Sequence, residues 1–206
     1  QSVASGRTMA QIAGGAKASK RSKRAADVPP TVGAAKETQR RPRKEANRTD
    51  RMPEVVRPQL CTLADRAPAG TGWIHEIKFD GYRLLVFKRG EQVRLITRKG
   101  EDWTHKFPPL AKAVSRLGCE NAVVDGEATI LDEQGRPSFQ TLQNAIKKGA
   151  FDRLVFYVFD LLYTDGQDLT SRPLLERKER LKGLIPGGEH GLIRYSDHVT
   201  GSGEAV

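Results

Sequence analysis

The apolar pattern of the chain changes near residue 59 and from there predicts strands separated by single helices. Residues 73–79 (WIHEIKF) alternate apolar and polar side chains, as a half-buried strand does. Asp80-Gly81 is a turn signal, so residues 82–90 (YRLLVFKRG) are predicted to form the partner strand of a hairpin. Further strands are predicted over 92–98, 121–131, 153–163 and 191–199, and helices over 107–117, 138–148 and 172–185.

Local signals support these elements and indicate the fold class. The helix over 107–117 begins at prolines, which suit the first helical turn, and Ser138 is a suitable N-cap for the next helix. Residues 153–163 (RLVFYVFDLLY) form a nearly continuous apolar run, as in a strand buried on both faces. Because hairpin-rich strands alternate with single helices, we predict an α+β fold with mostly antiparallel sheets.

The basic charge of the chain is concentrated in its first 58 residues. The formal net charge of the 206 residues is +10. Residues 1–58 hold 14 Lys and Arg against 5 Asp and Glu, whereas residues 59–206 hold 21 against 20. The first segment is poor in large apolar residues, so we predict a disordered linker or arm there and a folded domain over 59–206. Its basic clusters at 17–24 and 40–44 either bind nucleic-acid phosphates or only keep the chain in solution.

Composition argues against several other classes of protein. The sequence contains no run of 18 apolar residues, so no membrane span is predicted, and the N-terminus lacks the apolar core of a secretion signal. Cys61 and Cys119 lie far apart without a CxxC pattern, which indicates reduced thiols in a cytosolic protein. The histidines show no HxxxH or HExxH spacing, which argues against a histidine-based metal site.

One short segment combines an amine, carboxylates and a guanidinium. Glu76 and Lys78 are two residues apart in a predicted strand, so their side chains face the same side. Asp80 lies in the turn, and Arg83 returns on the next strand as a candidate anion clamp. A nucleophilic amine, carboxylates and a forked donor together suit attack on a phosphate. The alternative is a surface hairpin with mixed charges.

Four further segments follow in a fixed order: TRKG (97–100), DGE (125–127), FYVFD (156–160) and RPLLER (172–177). The carboxylates of the DGE segment lie inside an apolar strand, where they are unfavourable unless paired. The aromatic side chains of the third offer rings for stacking. Taken singly, each segment is also consistent with an ordinary turn or with core packing.

Taken together, these segments resemble the covalent nucleotidyltransferases, which are DNA ligases, RNA ligases and mRNA capping enzymes. The pattern K-x-D-G-x-R beginning at Lys78 resembles their nucleotidyl-acceptor motif, and the companion segments resemble those of ATP-dependent DNA ligases of the bacterial ligase D type. The resemblance covers roughly residues 53–199. It implies a covalent nucleotidyltransferase (ATP-grasp-like) fold.

The resemblance also implies site residues. Lys78 is implied as the catalytic nucleophile that takes AMP from ATP. The implied ATP-binding residues are Glu76, Ile77, Arg83, Arg98, Glu127 and Phe159. Among them, Glu76 is expected to meet the adenine amino group, Phe159 to stack on the base, and Glu127 to bind ribose or a metal ion. Glu127 and Asp80 are the implied ligands of Mg²⁺ or Mn²⁺.

The family reaction implied by the resemblance passes AMP from the lysine to the 5′-phosphate of a DNA nick, and the 3′-hydroxyl then displaces AMP. The implied substrate is nicked or broken double-stranded DNA, with end-joining proteins such as Ku as partners in the bacterial cytosol or nucleoid. The family's E-G-[VIL]-[VM]-x-[KR] and K-x-K segments and its OB-fold domain are not found in the sequence. We therefore expect a partial adenylation domain, incomplete at the C-terminus, with little activity alone.

Two alternatives remain open at this point. The first is another enzyme of the same superfamily, an RNA ligase or a capping-type nucleotidyltransferase; Glu76 and the RPLLER segment favour a DNA ligase. The second is a non-catalytic nucleic-acid-binding fragment that uses the basic arm.

Overall fold

The computed structural model describes residues 50–68, 70–185, 191–201 and 203. The predicted arm therefore lies outside the described residues as far as residue 49, together with both of its basic clusters. The described strands are β1 (Ile74–Glu76), β2 (Tyr82–Arg89), β3 (Gln92–Thr97), β4 (Asn121–Ile130), β5 (Leu154–Thr164), β6 (Gln167–Asp168), β7 (Ile193–Tyr195) and β8 (His198–Thr200). The α-helices are α1 (Pro108–Ser115), α2 (Phe139–Lys148) and α3 (Leu174–Leu184), with a 3-10 helix at Thr104–Lys106.

A six-stranded sheet forms the centre of the fold. Its strands follow the order β3-β2-β4-β5-β6, and β7 pairs with β5. All of these pairings are antiparallel except that of β5 with β7, which is parallel. The predicted α+β class with mostly antiparallel sheets is therefore confirmed, as are the helix starts at Pro108 and at the Ser138 cap, which accepts from the Thr141 amide.

The central sheet is buried on both faces. Leu84 and Val86 of β2 join the larger core, which also contains buried residues of all three helices. Leu85 and Phe87 belong instead to a smaller cluster with Met52, Val123 and Tyr163. Because side chains alternate along a strand, the continuous apolar run of β2 supplies both cores. The smaller core lies on the face that also carries the candidate site.

The predicted hairpin across Asp80-Gly81 is wrong. β1 pairs with β8 in a separate two-stranded sheet, with Glu76 opposite His198. β2 pairs with β3 and β4 but not with β1. The segment between them carries the chain from one sheet to the other, and the predicted strand over 73–79 keeps only its central residues.

The single strand predicted over 191–199 is two strands in the structure. β7 lies beside β5 in the central sheet, and β8 lies beside β1 in the small sheet. Ser196 donates its amide to the carbonyl of Val158 at 2.8 Å, which continues the pairing with β5 up to the break. The sheet change therefore occurs immediately after Ser196.

Residues 50–58 pack on the folded part, although composition groups them with the basic arm. Met52 is 8% exposed and lies in the smaller core. The carbonyl of Asp50 accepts from the Tyr163 hydroxyl at 2.8 Å. The backbone amide of Asp50 donates to the carbonyl of Gly166 at 2.7 Å.

Among the described residues, no helix has the length and apolar character needed to cross a membrane.

Candidate active site

The loop after β1 holds Lys78 on the surface beside β4. Lys78 is exposed. Its turn is anchored to β4 at two points, because the Thr129 hydroxyl donates to the Asp80 carbonyl at 3.1 Å and Gly81 packs directly against the backbone of Ala128. The charge of Lys78 also lowers the pKa of Glu127.

Two glycines in the motifs are required by close backbone approach. A Cβ on Gly81 would lie 2.1 Å from the carbonyl oxygen of Ala128 in β4. A Cβ on Gly126 would lie 2.6 Å from both the Phe156 ring and the Tyr157 carbonyl oxygen in β5. Neither site can hold a side chain without a backbone shift. The glycines of K-x-D-G-x-R and D-G-E therefore bring the lysine loop and β5 close to β4.

Arg83 and Asp125 form a bidentate ion pair across β2 and β4. The Nε and Nη2 atoms of Arg83 donate to the two Asp125 oxygens at 3.0 and 2.7 Å, and Nη1 donates to the Gln59 carbonyl at 2.8 Å. The Asp125 side chain is only 4% exposed. Burial raises the pKa of Asp125, and Arg83 opposes that shift. Burial also acts to lower the pKa of Arg83, but Asp125 outweighs it and the net shift is upward.

Phe159 lies in a β-bulge. Gly126 pairs with Val158 whereas Asp125 pairs with Asp160, so Phe159 is the extra residue of β5 between them. Bulges turn a side chain away from the regular alternation and are frequent beside active sites. The Phe159 ring centre lies 5.4 Å from the Arg83 guanidinium carbon. The bulge therefore brings the ring to the face that carries Arg83 and Asp125.

Among the carboxyl groups at this site, Glu127 has the pKa that is shifted furthest from its ordinary value. Burial raises its pKa to about 7 from an ordinary value of 4.5, against the opposing effects of Arg83, the Gly81 amide and Lys78, while Asp125 adds to the increase. A carboxylate with this pKa changes charge near neutral pH, which is frequent at functional sites.

The raised pKa of Glu127 predicts a pH-dependent effect of Glu127→Gln on stability. A raised carboxyl pKa gives stability that is present below the unfolded value of 4.5 and is lost as pH rises through about 7. Glutamine carries no charge at either pH. We therefore expect the unfolding free energy of the variant, minus that of wild type, to increase from about pH 5 to about pH 8. Urea denaturation at both pH values measures it, and a pH-independent difference would contradict the shift.

Glu76 is bound to a lysine of α3 rather than to the lysine of its own motif. The Nζ atom of Lys178 donates to Oε1 of Glu76. The Glu76 side chain remains 29% exposed, whereas that of Lys178 is 0% exposed. The neighbouring Ile77 is 74% exposed.

Arg98 lies at a groove beside the site rather than among these contacts. The groove is also lined by Arg57 and Leu60 of the N-terminal segment. In register, Leu84 of β2 lies opposite Thr97, so Arg98 follows the end of β3 on the side nearest Arg83. The structure thus brings Arg83 and Phe159 together, places the loop of Lys78 on the strand that carries Glu127, and leaves Arg98 at the edge.

The carboxylates fit a metal ion that phosphate oxygens help to hold. Mg²⁺ at phosphate-transfer sites is usually bound by one or two carboxylates, waters and phosphate oxygens. Glu127 faces the lysine loop, and Asp80 is exposed in that loop. No group of three or more His, Cys, Asp or Glu suited to a metal ion occurs in the described part of the chain. The oxygen chemistry of Glu127 and Asp80 is therefore suited to a metal shared with a phosphate rather than to a complete protein cage.

Sequence reasoning missed several contacts that build this site. Phe79 stacks on Tyr157 with ring centres 3.8 Å apart and planes at 6°. Arg177 of α3 makes a bidentate pair with Asp160 at 2.7 and 2.8 Å. The occurrence of FYVFD followed by RPLLER in the sequence could have indicated the pair of Asp160 with Arg177. No local sequence feature indicates that Lys178 is buried.

Comparison with known proteins gives the family of the site. The sequence profile of the family described as ATP dependent DNA ligase domain matches residues 46–203. The multifunctional non-homologous end joining protein LigD of Pseudomonas aeruginosa is 43% identical over 145 residues, which cover 70% of this chain and 17% of that protein.

Solved structures of ligase domains share the fold. The ligase domain of LigD from M. tuberculosis is 34% identical with a TM-score of 0.60, over 72% of this chain and 47% of that one. A structure described as mycobacterial DNA ligase D complexed with ATP and MES is 33% identical with a TM-score of 0.59, over 72% and 48%. The predicted nucleotidyltransferase-type fold is confirmed by these matches. The chain spans about half the length of these solved chains.

Proposed function

Since this chain belongs to the ATP-dependent DNA ligase domain family, we propose that residues 50–203 supply the lysine, base-binding and carboxylate groups of a ligase adenylation site. The observation that carries the proposal is the junction of the lysine loop with β4. There the Thr129–Asp80 hydrogen bond and the close approach of Gly81 to Ala128 hold the loop against the strand that presents Glu127, and Arg83 joins that strand to the Phe159 ring.

Lys78 is the proposed nucleophile. Its Nζ forms a bond to the α-phosphorus of ATP while the bond from that phosphorus to pyrophosphate breaks, and the amine loses a proton. AMP then moves from this nitrogen to the 5′-phosphate of a nick, and attack by the 3′-hydroxyl joins the strands and releases AMP. The exposure of Lys78 supports access to a nucleotide and to DNA. Arg83, through the N–H groups that do not bind Asp125 or Gln59, and Arg98 at the groove are the proposed phosphate-binding groups.

Glu127 and Asp80 are the proposed ligands of Mg²⁺ or Mn²⁺. When bound, the ion supplies positive charge that offsets the charge of the phosphate oxygens. Glu127 must be ionised to bind it, and because the pKa of this carboxyl without metal is about 7, the affinity for the ion should increase as pH rises through the neutral range. Glu127 is alternatively the ribose ligand.

Nicked or broken double-stranded DNA is the proposed substrate, in a bacterial cytosol or nucleoid. Support comes from the Pseudomonas aeruginosa relative, which is named as an end joining protein. An interaction with an end-joining protein such as Ku remains a prediction. The chain spans 17% of that relative, so these statements concern a ligase module that contains this chain.

Strand joining by such a module tests the proposal. The module is incubated with ATP, Mg²⁺ and either a nicked DNA duplex or a nicked RNA duplex of the same sequence. We expect sealing of DNA in preference to RNA, and a 5′-adenylated DNA intermediate. Sealing confined to RNA would favour the RNA ligase alternative, and salt-sensitive DNA binding without sealing would favour a non-catalytic module.

Phe159→Ala is expected to weaken ATP binding more than it slows the chemical step. Loss of base stacking on one ring removes roughly 1 kcal/mol beyond the buried area, which corresponds to about a fivefold increase in the Kd of ATP. Titration of ATP measures that effect, and Phe151→Ala, which removes a ring that packs on Phe107 instead, is the control. An unchanged Kd for Phe159→Ala would contradict the assignment of this ring.

A further inference from the structure

Lys178 is a fully buried cation that the proposed reaction does not use. It follows Arg177 in α3, and its side chain is 0% exposed. A buried ammonium is strongly unfavourable unless it is paired and hydrogen-bonded. The contacts that compensate it therefore indicate what its position serves.

The ammonium of Lys178 joins three separate segments. It donates to Oε1 of Glu76 at the end of β1, to the Phe159 carbonyl in the β5 bulge at 3.3 Å, and to the Ser196 carbonyl at 3.0 Å. It also lies 4.9 Å from the ring centre of Tyr195. Through these contacts α3 ties the small sheet that precedes the lysine loop to the central sheet.

Two of these partners are the groups assigned to the nucleotide base. Glu76 is the proposed acceptor for the adenine amino group, and Phe159 is the proposed stacking ring. Lys178 contacts only Oε1 of Glu76, and within the described residues no hydrogen bond to Oε2 is found. An ionised carboxylate accepts at both oxygens. The Glu76 side chain is 29% exposed, which leaves its carboxylate within reach of an N–H donor of a ligand.

We propose that Lys178 is a positioning residue for base recognition. It fixes the Glu76 carboxylate and the backbone of Phe159 relative to each other, so that one carboxylate oxygen faces the exocyclic amino group of the base. This inference rests on the proposed function and on the expectation from the family resemblance that Glu76 meets the adenine amino group while Phe159 stacks on the base. Lys178 itself does not contact the nucleotide, and its effect is on the choice of base.

The test compares ATP with purine riboside triphosphate, which lacks only the 6-amino group. The Kd of each is measured for a ligase module that contains this chain. We expect wild type to prefer ATP, and Lys178→Met to reduce the preference by about tenfold or more, the scale of one hydrogen bond to a charged group. Lys182→Met is the matched control, because Lys182 is exposed on the same helix and lies 5.4 Å from the same Tyr195 ring. It should keep the wild-type preference.

Glu76→Ala separates this inference from the proposed function. If Lys178 acts through Glu76, adding Lys178→Met to Glu76→Ala causes no further loss of preference. If Glu76→Ala loses the preference while Lys178→Met keeps it, or weakens both nucleotides equally, Lys178 is only structural and the inference is overturned. If wild type shows no preference for ATP over purine riboside triphosphate, or if Glu76→Ala keeps the wild-type preference, Glu76 does not recognise the amino group. The proposed base recognition is then wrong, and the inference about Lys178 is wrong with it.

Lys178→Arg covers the case in which the methionine variant does not fold. Arginine keeps the positive charge and hydrogen-bond donors, so a folded Lys178→Arg protein should retain more of the preference for ATP than Glu76→Ala does. A folded Lys178→Arg protein, verified by its thermal transition, whose preference equals that of Glu76→Ala would overturn the inference.

Discussion

Lys78→Ala is expected to abolish formation of the AMP-protein adduct. The covalent bond is made to the Nζ atom of this residue, and alanine has no group that replaces it. Because Lys78 is exposed, its truncation should leave the fold and the nucleotide-binding groups in place. Incubation of a ligase module containing this chain with α-labelled ATP and Mg²⁺ should therefore label wild type and leave the variant at background.

Two control measurements accompany this labelling experiment. Lys112→Ala, on the exposed surface of α1, should be labelled like wild type, which excludes a general effect of losing a lysine. ATP binding to Lys78→Ala should stay within about tenfold of wild type, since binding and chemistry are separate steps. Labelling of Lys78→Ala at the wild-type level would show that another residue is the nucleophile.

Arg83→Met is expected to destabilise the fold by about 3–5 kcal/mol, the usual result of removing one partner from a buried ion pair. The Asp125 carboxylate, 4% exposed, would lose both of its guanidinium bonds. The Gln59 carbonyl would also lose its donor. Urea denaturation measures the change, and the same variant should show weakened ATP binding because the contact with the Phe159 ring is lost.

Arg94→Met provides the matched control for the arginine substitution. Its pair with Asp102 is 3.5 Å long, and the two side chains are 58% and 48% exposed, so its loss should cost no more than about 1 kcal/mol. Asp125→Asn added to Arg83→Met should recover part of the stability, because the buried charge is then gone. Equal losses for Arg83→Met and Arg94→Met would contradict the assigned role of burial.

The sequence predicted most elements because their signals are local. The apolar run of β2, the Ser138 cap of α2 and the proline start of α1 need no information from distant residues. The motifs that contain Lys78 and Glu127 carried the resemblance to the ligases, and each includes a glycine that the structure places where two backbones approach closely.

The errors concern contacts between distant segments. Asp80-Gly81 signals a change of direction, but it does not specify which strand the chain meets next. The partner of β1 is β8, more than 100 residues later. The bulge at Phe159 depends on the register between β4 and β5, which apolar periodicity does not reveal. Lys178 resembles a solvated charge on an amphipathic helix, and its burial requires Glu76, Phe159 and Ser196 from three other segments.

The most direct test of the central claim is to locate the AMP on the protein. Wild-type ligase module containing this chain is incubated with ATP and Mg²⁺, digested under conditions that preserve the phosphorus–nitrogen bond, and its peptides are mapped by mass spectrometry. We expect one AMP group, on Lys78. Attachment of AMP to a different residue would contradict this expectation. Strand joining by a protein that carries no adduct on Lys78 would contradict it as well.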